Sequence, residues 1–183
     1  MDKIYIGGRE GAEFEWDIFG SVDRNNPAYQ KELQKIAKPN GFVFYRDALK
    51  LAKNFQPGDP RNPDRGFARD LRIEILDELG LTDEKDMDRL EFFTAVGSPL
   101  DKWHGVDGFF ELKQKFGASL RVTIDAATVD EHEKIARGQN LKADILISAK
   151  ELHLDNENKL GEDLKRTAKQ IVAVFKSQQK KAA

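Results

Sequence analysis

Residues 94–125, TAVGSPLDKWHGVDGFFELKQKFGASLRVTID, decide the fold. Ahead of the Gly97-Ser98-Pro99 turn lies a short apolar run at 90–96, LEFFTAV, whose aromatic and β-branched residues read as a strand. Residues 106–113 alternate imperfectly, with Val106, Gly108, Phe110 and Leu112 on one side and Asp107, Phe109 and Glu111 on the other. Residues 120–125 alternate cleanly, Leu120, Val122 and Ile124 against Arg121, Thr123 and Asp125. The connection at 114–118 has the length of a hairpin loop, so these two strands are expected to pair antiparallel. The start of one then lies beside the end of the other. Asp107 and Asp125 therefore converge at one edge of the sheet, at an expected separation of roughly 4 to 6 Å. Gly105 ahead of Asp107 lets the backbone bend and leaves that carboxylate accessible.

Beyond Asp125 the period changes. Thr128 and Glu131 have capping-box spacing, and a short helix to Arg137 would stop at Gly138. Residues 141–148, LKADILIS, form the next strand, and strand, helix, strand at this spacing favours a parallel pair joined by a right-handed crossover. A C-terminal helix over 157–178 carries Leu160, Leu164, Ala168, Ile171, Val172 and Phe175 on its core face. Upstream, 64–79 is helical, with Phe67, Ala68, Leu71, Ile75 and Leu79 on one stripe. Further back, 3–6 reads as a short strand, Gly7 to Gly11 as a glycine-rich turn, and 27–37 and 42–55 as two helices. The proline-rich 57–63 cannot sit inside a helix or a central strand. It marks the expected boundary between a mainly helical N-terminal appendage, 1–60, and an α/β domain, 61–183. The expected architecture is a small mixed sheet flanked by helices, in the order helix, three strands, helix, strand, helix.

Composition narrows the functions. The chain has 183 residues, 39% hydrophobic and 34% charged, with 30 Lys and Arg against 32 Asp and Glu. A net charge of −2 excludes a generally basic nucleic-acid coat, so any such contact must come from a local patch. The absence of cysteine excludes disulfides, thiolate zinc sites and a cysteine nucleophile. No apolar run approaches a membrane span, and the start MDKIYIGGREG lacks the apolar stretch of a signal peptide, so a cytoplasmic protein is expected.

Two close carboxylates resist ionising together unless a divalent cation neutralises them, and oxygen-only ligands suit Mg²⁺ or Mn²⁺. A third carboxylate from the preceding helix, Glu74 or Glu78, is positioned on or beside the face that packs on the sheet.

This order of elements and these acids resemble the PD-(D/E)XK nuclease-like superfamily over roughly 64–175, a restriction-endonuclease-like core of order α-β-β-β-α-β-α. The resemblance implies a metal-dependent nuclease acting on DNA. Its first acid matches Asp107 in GVDGFF, its second matches Asp125 in VTIDAAT, and its helix-borne glutamate matches Glu74 or Glu78, with Asp101 as an accessory. The superfamily lysine belongs two residues after the second acid, where this chain has Ala127. Lys134 on the crossover helix and Lys142 on the next strand are the replacements considered, Lys134 first. The resemblance therefore implies Asp107, Asp125 and Glu74 as metal ligands and Lys134 as the catalytic lysine.

Other features have plainer readings beside functional ones. Arg65, Arg69 and Arg72 share a helical face suited to phosphate contacts, or to simple solvation beside Asp64 and Asp70. His104 reads as a loop histidine, and Glu78 as a partner for Arg89. The alternative to an enzyme is a catalytically inactive nuclease-like fold serving as a protein or nucleic-acid interaction module. The aromatic segment at 14–19 and the proline-rich loop would then form its partner surface.

Overall fold

A computed structural model describes residues 8–182. Its elements are α1 (Gly8–Phe19), α2 (Pro27–Ile36), α3 (Tyr45–Asn54), α4 (Gly66–Glu78), α5 (Glu84–Met87), β1 (Leu90–Thr94), α6 (Pro99–His104), β2 (Gly108–Leu112), β3 (Leu120–Ala127), α7 (Glu131–Ala136), β4 (Ile145–Ser148) and α8 (Glu157–Ala182). The strands form one mixed sheet in the order β1-β2-β3-β4, antiparallel except for the parallel β3–β4 pair that α7 connects. The protein is an α/β fold with a small mixed sheet flanked by helices.

Strand alternation divides the core into two layers. Leu90, Phe92, Phe110, Leu112, Val122, Ile124, Ile145 and Ile147 face one side, against Ala68, Leu71 and Ile75 of α4 and Leu164, Ala168, Ile171, Val172 and Phe175 of α8. Phe93 and Phe109 face the other side, stacked at 5.2 Å between ring centroids, against Ala48, Leu49 and Ala52 of α3 and Leu100 of α6. Glu111 is buried on this second side, where Lys53 of α3 and Arg121 of β3 pair with it. A buried carboxylate without such partners would be strongly destabilising.

The expected strand at 3–6 lies outside the described residues. The glycine-rich turn is corrected from Gly8 onward, where those residues make the first turn of α1. Phe14, Ile18 and Phe19 of that helix enter the same core as the sheet, so these three side chains are not available to a partner. Trp16 alone of the segment's aromatics stays exposed, with the Arg65 guanidinium carbon 3.8 Å from its ring centroid. The proline-rich loop also has an internal role. Its Pro60 carbonyl accepts from the Phe92 N–H at 2.8 Å and Gln56 Oε1 accepts from the Thr94 N–H, closing the free edge of β1.

Local boundaries differ from expectation in places. The strand expected over 141–148 begins only at Ile145. The helix after β3 is capped by Asp130, whose Oδ1 accepts from the Glu133 N–H at 2.9 Å, so its cap lies two residues beyond Thr128. The turn after β1 contains a helix, α6. Ser98 caps it, Pro99 supplies a preset φ at its first position, and Gly105 ends it at φ 62°. That left-handed glycine aims the chain into β2.

Candidate active site

The β2–β3 register pairs Gly108 with Ile124, which sets the preceding residue, Asp107, opposite Asp125 on the side of the sheet away from Ile124. Asp107 is locked by its own backbone, donating to the Ile124 carbonyl at 2.8 Å and accepting from the Ala95 N–H at 2.7 Å. Its Oδ2 accepts from the Ala126 N–H at 2.7 Å. Gly108 is required beside it, because a Cβ there would stand 3.0 Å from the Phe92 ring.

Two further carboxylates complete the cluster. Asp101 stands on the first turn of α6, and its Oδ2 accepts from the Gly97 N–H at 2.8 Å. Glu15 lies on α1 one turn after Gly11, and both line the pocket, while Phe14 and Ile18 anchor the helix in the core. Glu15, Asp101 and Asp107 each offer an oxygen within 4.8 Å of the others. Asp125 does not belong to that triad. It pairs with Lys134, which reaches back from α7.

These residues line one cavity of about 610 Å³ at the C-terminal end of β3. Acids occupy its floor, and Lys102, Lys142 and Arg137 stand on its rim. Burial, reinforced by the Glu15, Asp101 and Asp125 charges, pushes the Asp107 carboxyl up to about 9, against the opposing Ala126 N–H. Burial followed by the Asp101 and Asp125 charges raises Glu15 to about 7, with Lys134 pulling the other way. Asp101 is raised as well, chiefly by burial. The metal-free cluster therefore holds protons at neutral pH, which a divalent cation would have to displace.

The structure brings Asp107, Asp125 and Lys134 into one pocket and leaves Glu74 out of it. Glu74 and Glu78 line a separate cleft with Lys165 and Lys169 of α8, because α4 presents that side to α8. Arg89, considered as a partner for Glu78, pairs instead with Asp86 at 3.0 Å. The expected basic face of Arg65, Arg69 and Arg72 is corrected at its last member. Arg72 is buried and donates to the Leu90 and Met87 carbonyls at 2.8 and 2.7 Å. Lys142 stands on the pocket rim and donates to the Trp103 carbonyl at 3.4 Å. His104 lies on α6 rather than in a loop, with Nε2 2.9 Å from the Val43 carbonyl.

Glu15 is the member that sequence reasoning missed. Its signal was present in two interleaved pairs, Phe14 with Ile18 and Gly11 with Glu15, each at helical spacing. The fold and the site together define an α/β domain with a buried carboxylate cluster and an adjacent acid–lysine pair. No family model, curated protein or solved structure matches the chain.

Proposed function

We propose that this protein is a divalent-metal-dependent nuclease that hydrolyses phosphodiester bonds of DNA, on a core of the PD-(D/E)XK kind. The observation that carries the reading is the meeting of Asp107, Asp125 and Lys134 in one pocket with Asp101 and Glu15. An all-oxygen, buried and mutually repelling donor set fits a hard cation such as Mg²⁺ or Mn²⁺. Glu15, Asp101 and Asp107 are the residues that would hold it. Bound there, such an ion supplies Lewis acidity and a water of lowered pKa.

The chain's own groups account for the rest of the chemistry. Asp107 is fixed by three hydrogen bonds to backbone groups of β3 and of the segment after β1, so its carboxylate needs no reordering to bind. Asp125 holds the Lys134 ammonium at the pocket wall. There Lys134 can orient the attacking water or donate to the phosphoryl oxygen on which negative charge develops. Lys134 thus takes the role that Ala127, two residues after Asp125, cannot fill. Lys102, Lys142 and Arg137 on the rim attract the polyanion that the acidic floor alone would repel.

The test is cleavage of supercoiled and single-stranded DNA with Mn²⁺ present. The native protein should cleave, EDTA should stop it, and Asp107→Asn should be inactive with an unchanged circular dichroism spectrum. Failure to cleave either substrate while Mn²⁺ is bound would contradict the nuclease reading in favour of a nuclease-like interaction module.

A further inference from the structure

We propose that the surface beside the pocket, built from the α2–α3 connection and α6, binds an unpaired DNA strand, with bases on Phe44 and Tyr45 and phosphates along Lys38, Lys102 and Lys142. It deepens the nuclease reading by naming the strand the site receives, and it rests on that reading for the choice of DNA.

Charge is the first observation. The chain as a whole has a net charge of −2, yet residues 31–53 hold six basic residues against two acidic ones. Lys38, Arg46, Lys102 and Lys142 have no carboxylate partner among the described residues. A local basic field on an acidic protein complements a polyanion.

Aromatic geometry is the second. Phe42, Trp103 and His104 form a fixed base. The Phe42 ring lies 5.7 Å from Trp103 and 5.8 Å from His104, while Trp103 Nε1 donates to the Gly41 carbonyl at 3.1 Å. On this base Phe44 and Tyr45 project outward, 52% and 40% exposed. Lys38 Nζ stands 4.2 Å from the Phe44 centroid, and Lys102 Nζ stands 5.0 Å from that of Trp103. Alternating rings and ammonium groups form the pattern that binds single strands, because every unpaired base offers a π-face and every linkage a phosphate. A duplex hides those faces inside its stack.

The third observation is continuity. Lys102 and Lys142 belong both to this surface and to the rim of the acidic pocket. A strand lying on the platform therefore passes over Asp101 and Asp107.

The experiment is fluorescence anisotropy of a labelled oligothymidylate of about 12 nucleotides, in EDTA so that no cleavage can occur. The single strand should bind more tightly than a duplex of equal length. Phe44→Ala combined with Tyr45→Ala should weaken single-strand binding roughly tenfold or more. Both side chains are exposed, so this variant should keep its fold, and circular dichroism checks that it does. Lys38→Ala should weaken binding and flatten its dependence on salt. Unchanged binding in the aromatic variant, equal or tighter binding of duplex, or tighter binding of an oligouridylate would each overturn the proposal. Strand binding as predicted without any Mn²⁺-dependent cleavage would leave the platform standing and remove the nuclease. Cleavage with platform variants that bind normally would do the reverse.

Discussion

Raising the pH from 6 to 8 should tighten Mn²⁺ binding to this protein roughly a thousandfold. The magnitude comes from the two carboxyls whose positions are most displaced. Burial and the Glu15, Asp101 and Asp125 charges put Asp107 at about 9, and burial with the Asp101 and Asp125 charges puts Glu15 at about 7. Both are raised, so at pH 7 the metal-free cluster carries a proton on Asp107 and about half of one on Glu15. A coordinated cation must displace them, releasing roughly 1.5 protons per ion at pH 7. Across the two pH units, deprotonation of Asp107 contributes roughly ninetyfold in affinity and that of Glu15 about tenfold. The same displacement predicts the stability of the metal-free protein, with its sign. A raised carboxyl stabilises the native state below its unfolded value and loses that contribution as the pH climbs through its folded value. Asp107 alone should therefore lower stability by about 1.4 kcal/mol per pH unit between roughly pH 5 and 8. Isothermal titration calorimetry at pH 7, in two buffers of different ionisation enthalpy, counts the protons directly. Affinity that is flat from pH 6 to 8, with release of less than about 0.3 protons, would refute the reasoning.

Four substitutions probe the surrounding structure. Lys134→Ala should slow single-turnover DNA cleavage about 10²- to 10³-fold while leaving Mn²⁺ affinity within a few-fold. Ala127→Lys added to it should restore a measurable part of the rate, since residue 127 shares Asp125's side of β3 and lines the same pocket. Gly108→Ala should destabilise the fold by about 1–3 kcal/mol in urea unfolding, because its Cβ would stand 3.0 Å from the Phe92 ring. Arg72→Leu should cost about 2–4 kcal/mol in the same assay by leaving the Leu90 and Met87 carbonyls unpaired, without altering DNA affinity.

The sheet was legible because its signals are local. Alternation in 120–125, the short 114–118 loop and the apolar runs at 90–96 and 141–148 are enough to order four strands, and strand parity alone sets Asp107 and Asp125 on one side. Lys134 was within reach for a similar reason, since the helix bearing it begins four residues after β3 ends. Glu15 depends on longer-range packing. Glu15 reaches the pocket because Phe14 and Ile18 dock α1 beside β3, a contact between segments more than a hundred residues apart in sequence. Asp101 counts because six residues that read as a turn close into α6. Glu74 shows the converse error. Its helix was placed rightly against the sheet, but periodicity cannot say which neighbour borders the stripe, and that neighbour is α8. Arg72 failed likewise: helical spacing gave its face, but not the carbonyls waiting beneath it.

The most direct test of the central claim sets Glu15, which only the fold brings to the site, against Glu74, which only the sequence pattern suggested. Single-turnover cleavage of end-labelled DNA would be measured with Mn²⁺ for the native protein, Glu15→Gln and Glu74→Gln. The account predicts that Glu15→Gln loses at least about tenfold in rate and requires more Mn²⁺, while Glu74→Gln cleaves as the native protein does. Normal cleavage by Glu15→Gln, with Glu74→Gln inactive though folded, would contradict it.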